Sequence, residues 1–409
     1  MDYLLTTPTA LAADITLPAS KSISNRLLLM AALCDRPVAL SGLARCDDTR
    51  VMQAALTGDA EVIDVQGAGT PMRFLTALLA ARPGTRVLTG NDRMRRRPVG
   101  PLVTALRSLG AAISYEEGEG VPPLRIIGGT LHGGHVILPG DVSSQFASAL
   151  MMVLPTVGGG SIRLTGPVRS RPYIHMTQAL MREWGIEVDF HNDVITVPAG
   201  SYAPCPVTVE ADWSAASYWL ALAAIHPRAR FMLHGLHPHS LQGDSRMLEI
   251  ARDWGVSTRQ NDDSLLVESP VHKGEREACF KADMSPTPDL APTVAVTLCL
   301  LQRPFSLTGL QSLRIKESDR LTALQALLAR LGYAVTATNG TLAWHGQRFR
   351  LPDDPPVIDT LGDHRIAMAF APAAVLHPGL VIKDVEVVTK SYPDFWLHLR
   401  AAGFSITQA

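Results

Sequence analysis

Two short stretches hold most of the acid–base potential of this chain. TPDLAP sets Asp289 at a helix start, and RIKESDR sets Glu317 and Asp319 among Arg314, Lys316 and Arg320. Cations around a carboxylate keep it ionised, which suits a proton acceptor, whereas a carboxyl that must donate a proton needs burial to offset them. Plainer readings compete at both places. Asp289 stands where an N-cap would stand, and RIKESDR has the composition of a solvated ion-pair face. His364, in GDHR, is a further ligand-contacting donor, although a lone His is more often structural.

The remaining cations gather at helix openings. Lys21 and Arg26 lie in LPASKSISNR, Arg73 in GAGTPMR, Arg365 in GDHR and Lys390 in TKSYPD. A helix N-terminus presents unpaired N–H groups and a partial positive charge, so cations and hydroxyls there suit an anion. A plain Ser or Asn cap is the alternative, above all at Ser24 and Asn25. In GAGTPMRF two glycines would let a ligand approach backbone N–H groups, with Pro71 suited to the first helical turn. Neither GxxxxGK[ST] nor a GxGxxG after a strand is present, so nucleotide binding has no support. The run NDRMRRRP, with Arg93, Arg95, Arg96 and Arg97, resembles a nucleic-acid patch when read alone. It lacks interleaved aromatics and sits in a chain of net charge −1, which argues for a small anionic substrate and no nucleic acid.

These residues must be positioned by a recurring frame. An amphipathic helix ends, a Gly follows and an alternating strand begins at Gly110, Gly185, Gly255, Gly332 and Gly403, at intervals of 70 to 77 residues. A shortened further copy falls at Gly58. Each unit also carries a second helix rich in small residues, such as YWLALAAI or IAMAFAPAAVL, whose all-round apolar character implies burial. The expectation is α/β: two similar domains of three units each, sheets outside, helices side by side within, and six polar helix starts converging on a cleft between the domains. The domains are expected at 18–211 and at 1–17 plus 212–409, the first segment pairing with the far half.

Length and composition agree with that plan. At 409 residues, two domains are the default. A hydrophobic fraction of 46% and a charged fraction of 18% describe a globular chain with no long disordered tail. Cys34, Cys46, Cys205, Cys279 and Cys299 have no paired spacing, which fits reduced thiols and no zinc site. MDYLLTTPTA has neither a basic leader region nor a run long enough to span a membrane, so the expectation is a soluble, cytoplasmic protein without membrane partners.

Taken together and in order, LPASKSISNR, GAGTPMR, RMRRRPVGPL, VSSQF, SRPYI, TPDLAP, RIKESDR, GDHRIAM and TKSYPDF resemble the 5-enolpyruvylshikimate-3-phosphate synthase family of enolpyruvyl transferases. That resemblance spans essentially the whole chain. It implies two domains of three βαβαββ units each, an inside-out α/β barrel whose first unit is shortened here. It implies transfer of the enolpyruvyl group of phosphoenolpyruvate to the 5-hydroxyl of shikimate-3-phosphate, with no metal or organic cofactor, in a monomer. By the same resemblance Lys21, Gly69, Arg97, Gln145, Arg320, Arg365 and Lys390 hold phosphoenolpyruvate. Ser22, Arg26, Ser143, Ser144, Ser170 and Tyr173 hold shikimate-3-phosphate, with Asp289 and Lys316 shared between binding and chemistry. Asp289 takes the proton of the 5-hydroxyl, and Glu317 or Lys21 delivers one to C3 of phosphoenolpyruvate.

The chain departs from the family pattern at a few positions. Gly67, Pro71 and Phe74 stand where members commonly have Asn, Ala and Pro, and Ser312 where Asn is usual. The related transferase acting on UDP-N-acetylglucosamine usually carries a Cys in the loop that reads MRRRPVG here, Met94 to Gly100. A non-catalytic anion-binding relative would be expected to have lost Lys21, Asp289 or Glu317, and all three are present.

Overall fold

The computed structural model describes residues 1–270, 279–350 and 355–409. The chain forms two compact units, one of Ser20–Val209 and one of Met1–Ala19 with Glu210–Ala409, and both are α/β.

One sheet pattern recurs in both units. In the unit 20–209, Val62–Asp64 lies parallel to Gly84–Thr89, which pairs antiparallel with Leu124–Gly128, itself antiparallel to Ala112–Tyr115. Gly134–Pro139, Gly160–Thr165, Val194–Val197 and Asp189–His191 repeat the order. Parallel neighbours require a crossover, and the helices Gly69–Ala81 and Ser144–Val153 provide it. The rest of this unit differs. Among the described residues, 20–60 form the helices Lys21–Ala32 and Asp47–Thr57 and no strand.

The other unit has three such sheets. Leu11–Thr16 lies parallel to Ala229–His234, followed by Ser264–Glu268 and Ser257–Gln260. Phe280–Asp283, Phe305–Thr308, Leu342–Trp344 and Thr336–Ala337 form the second. In the third, Val357–Ile358 and Leu380–Ile382 are joined by Tyr3–Thr6 and then Ser405–Gln408, so the first strand of the chain fills a place that a hairpin strand fills elsewhere.

Helix ends follow the glycines. Gly110, Gly185, Gly255, Gly332 and Gly403 all have positive φ, between 84° and 108°, a region that a residue with a Cβ enters at a cost. Gly58 corrects the sixth landmark. It closes the helix Asp47–Thr57 with φ −87° and ψ 160°, an extended conformation open to any residue. The small-residue helices are buried as their composition requires. Trp213–Ile225 is buried along all but its last residue, and Ala291–Leu300 throughout. These two pack against each other, and Ala291–Leu300 also packs against His364–Phe370. Truncating a fully buried residue such as Leu298 to Ala would cost roughly 2–5 kcal/mol. Among the described residues no helix is long and apolar enough to cross a membrane.

Candidate active site

In the unit containing residues 210–409, packing of the buried helices brings their N-terminal ends together, and charge gathers there. The helix Ala291–Leu300 is preceded by a short 3₁₀ turn, Pro288–Leu290, that carries Asp289. Leu290 occupies the N-cap position of that helix without a side-chain bond, so Asp289 is not a cap. Its carboxylate meets Arg320 at 2.9 Å, Lys316 at 3.2 Å and Arg365 at 3.4 Å. Burial opposes ionisation of Asp289, but Lys316, Arg365 and Arg320 outweigh it and hold the carboxyl well below the usual carboxylate range.

Arg320 is the hub of this cluster. Only 1% of its side chain is exposed, and it opens the helix Arg320–Arg330. Its Nη1 donates to Asp289, its Nη2 to Glu317 at 2.8 Å, and its Nε and Nη2 to the two oxygens of Asp363 at 2.7 and 3.1 Å. Burial alone would favour loss of its proton; Asp363, Glu317 and Asp289 more than compensate and raise its pKa above the ordinary arginine value. Glu317 also pairs with Lys390 at 3.2 Å and is 13% exposed, which excludes the solvated-face reading for that residue. The solvated pair in RIKESDR is Arg314 with Asp319, both more than a third exposed, and Asp319 caps the helix by accepting from Thr322 N–H. Four cations thus face three carboxylates, and an arriving anion would compete with those carboxylates for the cations.

Arg365 reaches the same cluster from the helix His364–Phe370, which Asp363 caps by accepting from Arg365 N–H. Its Nη1 donates to the Asp289 backbone carbonyl and its Nη2 to the Ser214 hydroxyl at 3.2 Å. Ser214 in turn donates to Asp244. Burial raises the Asp244 carboxyl to about 6, with Arg365 and the Ser214 hydrogen bond opposing the rise. His364 is buried beside Asp363, at 3.7 Å.

The unit 20–209 holds the other group of predicted residues. Ser20 caps the helix Lys21–Ala32, and Lys21 in its first turn pairs with buried Asp48 at 3.4 Å. Ser22 is half-buried, and its carbonyl accepts from Arg26 Nη1 at 2.9 Å. Arg26 also donates from Nε to Thr177 at 2.7 Å, and from Nη2 to Ser148 at 3.0 Å and the Tyr173 carbonyl at 3.2 Å. Four of its five N–H groups are therefore engaged within the unit. Its guanidinium lies 5.6 Å from the Phe74 ring centroid and 6.0 Å from that of Tyr173. Burial lowers the Arg26 pKa to about 10, which leaves the side chain charged at neutral pH.

Neighbouring helix starts carry the rest. Ser143 caps Ser144–Val153 by accepting from Gln145 N–H, and the Gln145 side chain donates to Thr70 at 3.1 Å. Gly69 opens its helix against Arg97, close enough that an added Cβ would sit 2.8 Å from Nη1 of that arginine. Arg73 ties this corner together through Gly69 O and Pro98 O. Ser170 precedes the helix Arg171–Glu183 in the left-handed region, φ 54°, without forming a side-chain cap. A non-glycine residue there carries strain of about 1–2 kcal/mol, a feature that recurs at functional sites.

This constellation of paired carboxylates and helix-start cations invites comparison with known proteins. The family model described as EPSP synthase (3-phosphoshikimate 1-carboxyvinyltransferase) matches residues 5–58 and 55–399. The chain belongs to this family. A 3-phosphoshikimate 1-carboxyvinyltransferase of Bacteroides fragilis (strain YCH46) is 48% identical over 409 residues, covering 99% of each chain. One from Methanospirillum hungatei JF-1 is 37% identical over 415 residues, covering 94% of each. A solved EPSP synthase of Acinetobacter baumannii shares the fold over the full length of both chains, with a TM-score of 0.76 at 22% identity.

Within this EPSP synthase framework several side chains join the clusters without a role assigned from sequence. Asp363 sits inside the motif GDHR, where its position before a helix start is the available signal. Asp48, the partner of Lys21, and the pair Ser214 and Asp244 are distant in sequence from the residues they touch, so no local pattern points to them.

Proposed function

We propose that this chain catalyses transfer of the enolpyruvyl group from phosphoenolpyruvate to the 5-hydroxyl of shikimate-3-phosphate, with release of inorganic phosphate. Family membership supports the reaction class, and the observation that carries it to these residues is the Asp289 and Glu317 carboxylates held among Lys316, Arg320, Arg365 and Lys390.

The chemistry needs three proton movements. The 5-hydroxyl oxygen adds to C2 of phosphoenolpyruvate as it loses its proton, and C3 gains one, giving a tetrahedral intermediate. Elimination then breaks the C2–O bond to phosphate while the group that protonated C3 takes a proton back from it, which leaves the enolpyruvyl ether and inorganic phosphate. Asp289 is the base for the hydroxyl and Glu317 the donor to C3, with Lys21 the competing donor. In the free protein Asp289 is a weak base, because three cations stabilise its charge. Binding of the phosphate and carboxylate of phosphoenolpyruvate by Arg320, Arg365 and Lys390 redirects part of that positive charge to the substrate and makes Asp289 a stronger base when it is needed.

The other unit supplies Lys21, Gly69, Arg97 and Gln145 to phosphoenolpyruvate. Ser22, Ser143, Ser144, Ser170 and Tyr173 serve shikimate-3-phosphate, together with the fifth N–H of Arg26. One reaction therefore draws on residues of both units. The finer architecture that accompanies this reading is the inside-out α/β barrel of βαβαββ units, with residues 20–60 as its shortened copy. The deciding experiment is release of inorganic phosphate from phosphoenolpyruvate by the purified chain. Release that depends on shikimate-3-phosphate and does not occur with UDP-N-acetylglucosamine is expected; no release with either acceptor would falsify the proposal.

A further inference from the structure

Arg365 is anchored from two sides. On one side it meets Asp289, through the carboxylate at 3.4 Å and the backbone carbonyl at 3.4 Å. On the other its Nη2 donates to Ser214, whose hydroxyl donates onward to Asp244. Ser214 lies in the first turn of Trp213–Ile225, where Asp212 caps its N–H at 2.8 Å. Asp244 lies in the 3₁₀ turn Gly243–Arg246. That turn is latched to the helix start by Gln242, which accepts from Trp213 N–H at 3.1 Å and donates to Ala211 O at 2.7 Å.

Asp244 is unusual for a buried carboxylate. It is 2% exposed, its Oδ1 has no hydrogen-bond partner among the described residues, and its contact with Arg365 runs through the Ser214 hydroxyl. Burying such a group costs stability, and an apolar or amide side chain would serve packing alone at lower cost. Its oriented oxygen polarises the Ser214 hydroxyl, which makes that oxygen a better acceptor for the Arg365 guanidinium.

We propose that Asp244 and Ser214 are positioning residues that hold the Arg365 guanidinium partly away from Asp289 and so set the affinity for phosphoenolpyruvate, without touching substrate themselves. The proposal rests on the function assigned above. When the Ser214 link is cut, Nη2 of Arg365 keeps its contact with Asp289, and the guanidinium moves further onto that carboxylate. The anion then competes with a fuller ion pair for the same N–H groups.

The test is steady-state phosphate release by the full-length protein and its variants, with each substrate varied in turn and thermal unfolding recorded alongside. Ser214→Ala should raise the KM for phosphoenolpyruvate about tenfold, the change that 1.4 kcal/mol represents. The KM for shikimate-3-phosphate and the unfolding temperature should stay close to the parent values. Asp244→Ala should act in the same direction, and the double variant should be no worse than Ser214→Ala, since both break one chain. Asp244→Asn, which keeps an oxygen acceptor for Ser214, should restore the phosphoenolpyruvate KM to within about threefold of the parent. Equal rises in both KM values, or none in Ser214→Ala, would overturn the proposal. A crystal structure of Ser214→Ala decides the matter independently of turnover: an unmoved Arg365 guanidinium sinks the positioning role. Absence of phosphate release by the parent chain would instead strike the assigned function.

Discussion

The two clusters of candidate residues solve different problems with the same cations. In the unit of residues 210–409, Lys316, Arg320, Arg365 and Lys390 are each paired with a carboxylate, and one of those carboxylates, Asp363, is completely buried. In the unit 20–209, Lys21 pairs with Asp48, but Arg26 is held by two hydroxyls and two carbonyls, and Arg73 by contacts that include two carbonyls and the Met94 sulfur. Neutral acceptors orient a cation and leave its charge for a ligand. Carboxylate partners cancel that charge until a competing anion arrives, and in return their own basicity becomes responsive to the ligand. Neutral partners suit anion binding, and carboxylate partners suit proton transfer coupled to it.

That contrast can be broken most directly at Asp289. Asp289→Asn keeps the shape and removes the base, so kcat should fall by about 10²–10⁴-fold with both KM values within a few-fold, as measured by phosphate release. A rise in KM with kcat preserved would make the residue a binding group and erase the distinction.

A smaller effect, of about 10²-fold in kcat, is expected for Glu317→Gln if Glu317 delivers the proton to C3. Lys21→Met should then act mainly through the KM for phosphoenolpyruvate. The opposite pattern would move the donor into the unit 20–209 and make that unit a partner in proton transfer.

The smallest effect concerns stability. Asp244 has its carboxyl raised by burial from an ordinary value of 3.8 to about 6. A raised carboxyl favours folding below pH 3.8, where it is neutral in both states. The benefit is lost as pH rises through 6, where the folded state must hold a buried charge. Asp244→Asn should therefore stabilise the protein by about 1–3 kcal/mol at pH 7.5 and by little at pH 4, read from urea unfolding at the two pH values. Equal gains at both would show that the buried charge is not the cause. Arg26, equally buried in the other unit, keeps its charge across this range and offers no such gain.

Much of the fold is legible because its signals are local. A glycine that must adopt positive φ after an amphipathic helix is visible in one line of sequence, and five of the six landmarks have that conformation. Gly58 does not, because its helix runs on into extended chain and no left-handed turn is required. The carboxylates were legible in type but ambiguous in role. Asp289 and Asp319 both precede helices. The difference is that Asp319 turns its oxygens to Thr322 and Arg314, whereas Asp289, two residues ahead of its helix and within a 3₁₀ turn, points its carboxylate at Lys316 and at Arg320 and Arg365 of other helices. The positions of Asp48, Ser214 and Asp244 depend on helix-to-helix and turn-to-helix packing across tens of residues, which no period or spacing encodes.

The place of Tyr3–Thr6 between Leu380–Ile382 and Ser405–Gln408 sets an order of events during synthesis. The strand leaves the ribosome more than 370 residues before either of its partners. At about 5–20 residues per second it waits tens of seconds with unsatisfied edges. Among the described residues, the strands of 20–209 pair with one another alone, so their sheets can be completed meanwhile. Newborn chains stalled before residue 380 should therefore contain finished sheets in 20–209 while Tyr3–Thr6 still lacks both of its strand partners.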